Sequence, residues 1–169
     1  RLDPVLPRNA VFASASIERL FFDEGDGINR TRVDARGYLG VFRQQVVIFR
    51  VQHENASQPA PPYLRPLLGG WSNLRGFEPG FLTGDSMVAG SIEWRSPITS
   101  PLSVGKLGIS LFADWGTAWN KGQKFEDQPL HNGLGGGVWF SLTALRLGLA
   151  VAHGRGAGTR FTFGGGLTF

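Results

Sequence analysis

Lys106-Leu107-Gly108-Ile109-Ser110-Leu111-Phe112-Ala113-Asp114-Trp115-Gly116 is the stretch on which the fold turns. Every second position gives Leu107, Ile109, Leu111, Ala113 and Trp115 on one side. The other side holds Lys106, Gly108, Ser110, Phe112, Asp114 and Gly116. A period of two sends alternate side chains to opposite faces of a β-strand, whereas a helix repeats every ~3.6 residues. This is a strand, oily on one face and polar on the other.

The same pattern spreads in both directions. Downstream, Leu134, Gly136, Val138, Phe140 and Leu142 oppose Gly133, Gly135, Gly137, Trp139 and Ser141. Leu145, Leu147, Leu149 and Val151 oppose Arg146, Gly148, Ala150 and Ala152. The end of the chain sets Phe161, Phe163, Gly165, Leu167 and Phe169 against Arg160, Thr162, Gly164, Gly166 and Thr168. Upstream, Val88, Gly90, Ile92 and Trp94 oppose Ala89, Ser91, Glu93 and Arg95, and weaker strands lie near 10–22, 28–40 and 44–55. Eight strands are expected, with no convincing helix.

The strands run about 10–13 residues, longer than the usual strand of a globular sheet and matched to a tilted bilayer crossing. Their connections alternate in size: 56–85 and 120–131 are long, 98–104 and 142–144 short. Long loops on one side and tight turns on the other are the habit of an up-and-down antiparallel barrel in an outer membrane. A soluble lipocalin-like barrel shows the same alternation with its oily face turned inward. Three features favour the membrane. The apolar faces of the last five strands are long and nearly free of charge, Trp94, Trp115 and Trp119 fall towards strand ends where aromatic girdles sit, and the chain closes on Phe169.

Composition narrows the function. The 169 residues are 41% hydrophobic and 18% charged, too apolar for a disordered chain and the length of about one domain. No apolar run is long enough for a transmembrane helix. There is no cysteine, which excludes disulfides, thiolate metal sites and cysteine catalysis. The net charge of +4 comes from 17 Lys and Arg against 13 Asp and Glu. The arginines are scattered singly along the strands, and no basic run forms a nucleic-acid footprint. Gly84-Asp85-Ser86 with His131 or His153 is a poor match to a nucleophile elbow, and His53, His131 and His153 stand at no metal-ligand spacing. No enzyme, metal or cofactor is expected. Gly133, Gly135, Gly136 and Gly137 precede no helix, so a phosphate loop is not their role; they suit a wall against which another backbone packs.

Four short motifs then stand in order. Leu74-Arg75-Gly76-Phe77 resembles the Val/Ile-Arg-Gly-Phe/Tyr signature in the sixth surface loop of the outer-membrane assembly factors, the BamA/TamA-type surface-antigen barrels. Leu68-Gly69-Gly70, Gly80 and Gly84 fit that loop. Glu93-Trp94-Arg95-Ser96-Pro97 is similar to the family's Glu-x-Arg-x-Pro strand end, and Phe112-Ala113-Asp114-Trp115-Gly116 to its Phe-x-Asp-x-Gly strand. Thr162, Gly164, Leu167 and Phe169 fall on the family's C-terminal insertion signal. Leu2-Asp3-Pro4-Val5-Leu6-Pro7 is a looser match to a mid-barrel turn, with Ala10 where the family has glycine.

The resemblance covers residues 1–169 as one outer-membrane barrel domain and implies the C-terminal half of a sixteen-strand barrel that follows periplasmic POTRA repeats. The chain is then a piece of a longer parent, or a short barrel that closes alone or by pairing with a second chain. It opens at Arg1 without methionine or signal peptide, as a mature product or a cut piece would. The resemblance also implies a place in the outer membrane of a Gram-negative-type bacterium or an organelle derived from one. Its implied partners are outer-membrane lipid and client or secreted proteins, and its work is protein insertion or translocation. A secretion pore or a membrane anchor for a surface partner is the alternative. Arg75 is expected to dock the long loop on the barrel wall through Asp114 or Glu93, with Gly76 allowing close approach and Phe77 packing beside it. Arg95, Phe112 and Gly116 complete that wall. The terminal strand either offers its edge to an incoming strand or directs only its own insertion.

The protein is expected to need an amphiphile. It should fractionate with membranes and precipitate when detergent is withdrawn; free solubility in water, with the oily faces sharing a dry interior, would overturn the membrane reading.

Overall fold

Alternating side chains make ten antiparallel strands in the computed structural model, which describes residues 7–22, 27–100, 105–142 and 145–167. They are β1 (Ala10–Leu20), β2 (Ile28–Gly40), β3 (Val46–Ala56), β4 (Leu67–Leu68), β5 (Leu82–Thr83), β6 (Ser86–Thr99), β7 (Lys106–Trp119), β8 (His131–Ser141), β9 (Leu145–Gly154) and β10 (Gly158–Leu167). Eight form one sheet in the order β1-β2-β3-β6-β7-β8-β9-β10, each strand beside its neighbour in the chain once the β4–β5 hairpin is set aside. The up-and-down order follows the sequence pattern. The small hairpin inside the long loop does not, because two residues are too few to show a period. Among the described residues β1 and β10 do not pair, so the sheet is open. The turn at residues 2–6 and the terminal Phe169 lie outside the described residues.

Strand ends differ from the alternation in one informative way. β6 and β7 each run 14 residues, past Arg95 and Gly116 where the pattern fades. Thr117 and Ala118 continue β7 as ladder partners of Val88 and Met87. Proline at 97 has no amide to give, and the register between β6 and β7 shifts between Pro97 and Thr99, a bulge at the lower rim.

The two faces separate cleanly. β9 alternates exposed Leu147, Leu149 and Val151 with buried Gly148, Ala150 and Ala152. On β10, Phe161 and Phe163 are 86% and 66% exposed. The face bearing Leu107, Leu111, Leu134, Leu149 and Phe163 carries no Asp, Glu, Lys or Arg on β6 to β10. The opposite face carries the charges, and the loop of residues 57–85 lies on it: Leu68 presses on Gly116, Arg75 on Gly133 and Trp71 on Gly148. A lipocalin-like arrangement would place the oily face inward. Here the loop occupies the polar, concave side and leaves the oily side for acyl chains. Trp119 at the upper end of β7 stacks on His53 with ring centroids 6.5 Å apart. Trp94 near the lower end of β6 donates to the Gln45 side chain at 3.2 Å. Trp115 lies further in, its ring over Gly90, rather than at a strand end.

Apolar packing on the concave side is local. Leu68, Leu74, Phe77, Met87 and Ala89 form one buried cluster between loop and wall, and Val46, Ile48 and Trp139 form another lower down. Burying each large side chain of the first cluster contributes roughly 1.5–3 kcal/mol, which helps hold the loop in place.

Placing an arginine at Leu149, on the oily face midway along β9, should destabilise the lipid-embedded protein by about 2–4 kcal/mol. Gln52→Lys, on the concave face, should leave the unfolding midpoint near that of the parent. Equal loss from both, measured by denaturant titration in liposomes, would contradict the assignment of faces.

Candidate functional site: a surface loop bound inside the wall

The loop is shaped at its root by Asp85, which is almost fully buried. Its carboxylate accepts from the Ala60 amide at 2.7 Å and from the Lys121 amide at 2.8 Å, and Arg65 stands 3.7 Å away. One carboxylate thus joins the start of this loop to the next surface loop. Farther in, Asn73 makes the reversal: its side-chain oxygen accepts from the Gly69 amide and its nitrogen donates to the Leu67 carbonyl. The Gly70 amide donates to the Phe77 carbonyl at 3.0 Å, closing the turn that presents residues 74–77 to the wall.

Arg75 is the centre of the site. Its Nε and Nη2 donate to the two oxygens of Asp114, each at 2.7 Å, and its amide adds a third bond to the same carboxylate at 3.0 Å. Nη1 donates to Glu93 at 2.7 Å, and Nη2 also reaches the Ser91 hydroxyl at 3.1 Å. The guanidinium carbon stands over the Phe112 ring, 3.4 Å from its centre. The planar fork of arginine matches this set of acceptors, and lysine offers no such geometry. Burial by itself would lower the Arg75 pKa, but Asp114, with Glu93 beside it, raises it above the ordinary guanidinium value.

Strand register explains why these groups meet. Ser91 pairs with Asp114 and Glu93 with Phe112 across β6 and β7, so the two carboxylates sit diagonally on one face with an aromatic ring between. Sequence reasoning offered Asp114 or Glu93 as the partner; Arg75 binds both. Arg95 stands beside Glu93 in the wall. It donates to the free oxygen of Glu93 at 2.6 Å and so holds that carboxylate in position. Gly116 lies beneath Leu68, where a Cβ would come within 2.8 Å of the leucine. Leu74 is fully buried in the cluster with Phe77. Phe77 meets Phe81 at 4.6 Å between centroids and His131 at 5.8 Å.

Gly76 has φ of 94°, a conformation L-residues rarely adopt, and a Cβ there would fall 2.6 Å from the Gly154 amide. Gly133 faces the Arg75 carbonyl more closely still. The tetrapeptide therefore lies with its backbone directly on that of β8 and β9. In the terminal strand, Thr162 donates to the Ala150 carbonyl at 3.4 Å, Leu167 pairs with Leu145, and Gly164 lies under the Trp71 ring.

Several groups of the site are absent from the motifs. Asp34 on β2 takes two bonds from Arg36 and two from Arg50, and Arg50 also donates to the Ser72 carbonyl at 2.7 Å, a second tether from wall to loop. Parity places Asp34, Arg36 and Arg50 on one face, but nothing in the sequence says that one carboxylate sits between the two arginines. Between loop and wall remains a cavity of about 320 Å³ lined in part by Arg36, Arg50, Trp71, Arg95 and Arg146. Ser86 donates to the Asn55 side chain at 2.8 Å. His53 contacts the Met87 carbonyl and His153 the Thr159 hydroxyl, so none of these contacts joins Ser86 to a histidine.

A long-stranded antiparallel wall, oily outside and charged inside, with a surface loop bound to its concave face, defines a transmembrane β-barrel of the outer-membrane kind. The family model described as the Omp85 superfamily domain matches residues 1–169, and the chain belongs to that superfamily. Its members are outer-membrane proteins of Gram-negative bacteria or of organelles derived from them, and act in inserting proteins into that membrane or moving them across it. Comparison with curated proteins gives no match.

Arg75→Ala leaves buried Asp114 without its partner and Glu93 with Arg95 alone, and should cost about 3–5 kcal/mol. In detergent, residues 60–85 should become sensitive to an unspecific protease, and Arg75→Lys should recover little of the protection. Unchanged protection in the alanine variant would refute a loop held by this arginine.

Proposed function

We propose that this protein is an assembly factor that inserts other barrel proteins into the outer membrane, working as a template and gate with no bond-breaking chemistry and no cofactor. The observation that carries the reading is the state of β10. Its ladder runs to β9 on one side only among the described residues, and residues 164–166 are three glycines in succession. A strand edge offers main-chain donors and acceptors that pair with almost any incoming strand, which suits a factor with varied clients. Glycines in a strand weaken its own packing and ease bending. The bound loop supports insertion over conduction, because its tetrapeptide is held against the inner wall by Arg75.

Outer-membrane lipid and client strands are the partners of this reading. The β1 edge also needs cover in a bilayer, where unpaired amides are costly, from further strands of the same protein or from a second copy. Thr162, Gly164, Leu167 and Phe169 serve in addition as the protein's own insertion signal. The arginine-lined cavity beside the loop favours one second reading, a secretion pore that opens when the loop withdraws.

Liposomes carrying the protein should fold a urea-denatured client barrel several-fold faster than empty liposomes, while planar bilayers show little conductance. Strong conductance without faster folding would favour the pore and overturn the insertion reading.

A further inference from the structure

The long loop grips the terminal hairpin as well as the β6–β7 wall. Gly148 of β9 and Gly164 of β10 are direct partners across the ladder, and the Trp71 indole lies over both. A Cβ at Gly148 would come within 2.5 Å of the ring, and one at Gly164 would meet it more closely still. Gly166 sits on the same face two residues on, and a Cβ there would meet nothing within 4 Å. The bare backbone at 164 is therefore required by the tryptophan, whereas that at 166 is not. Farther along β10, Arg160 forms an ion pair with Glu78 of the loop at 2.8 Å. Between these two points, the Gly76 carbonyl rests against Gly154 of β9.

We infer that Trp71 and Glu78 are positioning residues that latch β10 to the docked loop. All three contacts use the concave face of the hairpin and leave the outer edge of β10 unoccupied. The strand is thus restrained against splaying while its edge stays available for pairing. Because Trp71 and Glu78 flank Arg75 in the chain, release of Arg75 from Asp114 and Glu93 frees the terminal strand as well. The working role of that edge rests on the insertion reading above; the latch itself does not.

The test has two arms. In the membrane-reconstituted protein, Trp71→Ala should raise amide exchange over residues 158–167 several-fold and leave the β6–β7 ladder unchanged, and Trp71→Phe should restore most of the protection. Glu78→Arg should act similarly, with Arg160→Glu in the same chain restoring it. Unaltered exchange at β10 in both single variants overturns the latch. For the second arm, residues 1–169 contain no cysteine, so Glu78→Cys with Arg160→Cys can be joined by a short bis-methanethiosulfonate, each thiolate displacing methanesulfinate to form a disulfide that a reductant later cleaves. The joined protein should fold a client barrel into liposomes several-fold more slowly, and cleavage should restore the rate. Equal rates before and after cleavage overturn the positioning role. If neither form exceeds empty liposomes, the insertion reading fails, while the exchange arm still decides the latch.

Discussion

A guanidinium buried among two carboxylates, a hydroxyl and a phenylalanine ring holds the inside of this protein together. Removing a charge from water is expensive, and what makes it tolerable here is that Arg75 meets acceptors at nearly every donor it has. The cost also makes the arrangement exclusive. Among the described residues Asp114 has no comparable partner if the loop leaves, and Glu93 keeps only Arg95, so the docked position is favoured by the cost of baring these carboxylates. Arg95 adds to this by occupying the remaining side of Glu93.

Around that charge cluster the loop and wall meet through missing side chains. Gly133, Gly148, Gly154 and Gly164 form a bare track on β8 to β10 along which the loop backbone and the Trp71 ring lie. The wall opposite, on β2 and β3, is dense with arginines held by Asp34 and Glu54. The loop is thus clamped between a polar side that binds its carbonyl at Ser72 and a smooth side shaped to its rings.

Much of this was readable from residue order. Period two in β6 to β10 gave strand type, count and facing, because on those strands burial against lipid and burial against the loop demand opposite residue types. The short motifs named Arg75 and its two acids. The β1 to β3 region read faintly because its concave face alternates charges, which look like solvent exposure to any pattern based on oiliness. Trp71 was not legible: its partners are glycines far off in sequence, and a bare backbone leaves no mark of what lies upon it. Asp85 was hidden for a related reason, since it bonds to main-chain amides, which every residue has.

The charge ladder on β1 to β3 has a bearing on how the sheet assembles. Arg32 faces Glu54 across β2 and β3, Glu18 stands opposite Arg30, and Asp34 bridges Arg36 and Arg50. A slip of one position would turn all of these ions outward to meet hydrocarbon, and a slip of two would set arginines against the wrong neighbours. In strands whose oily faces are too modest to fix their own alignment, the ions act as a pairing code, because every other alignment leaves them in hydrocarbon or beside the wrong charge.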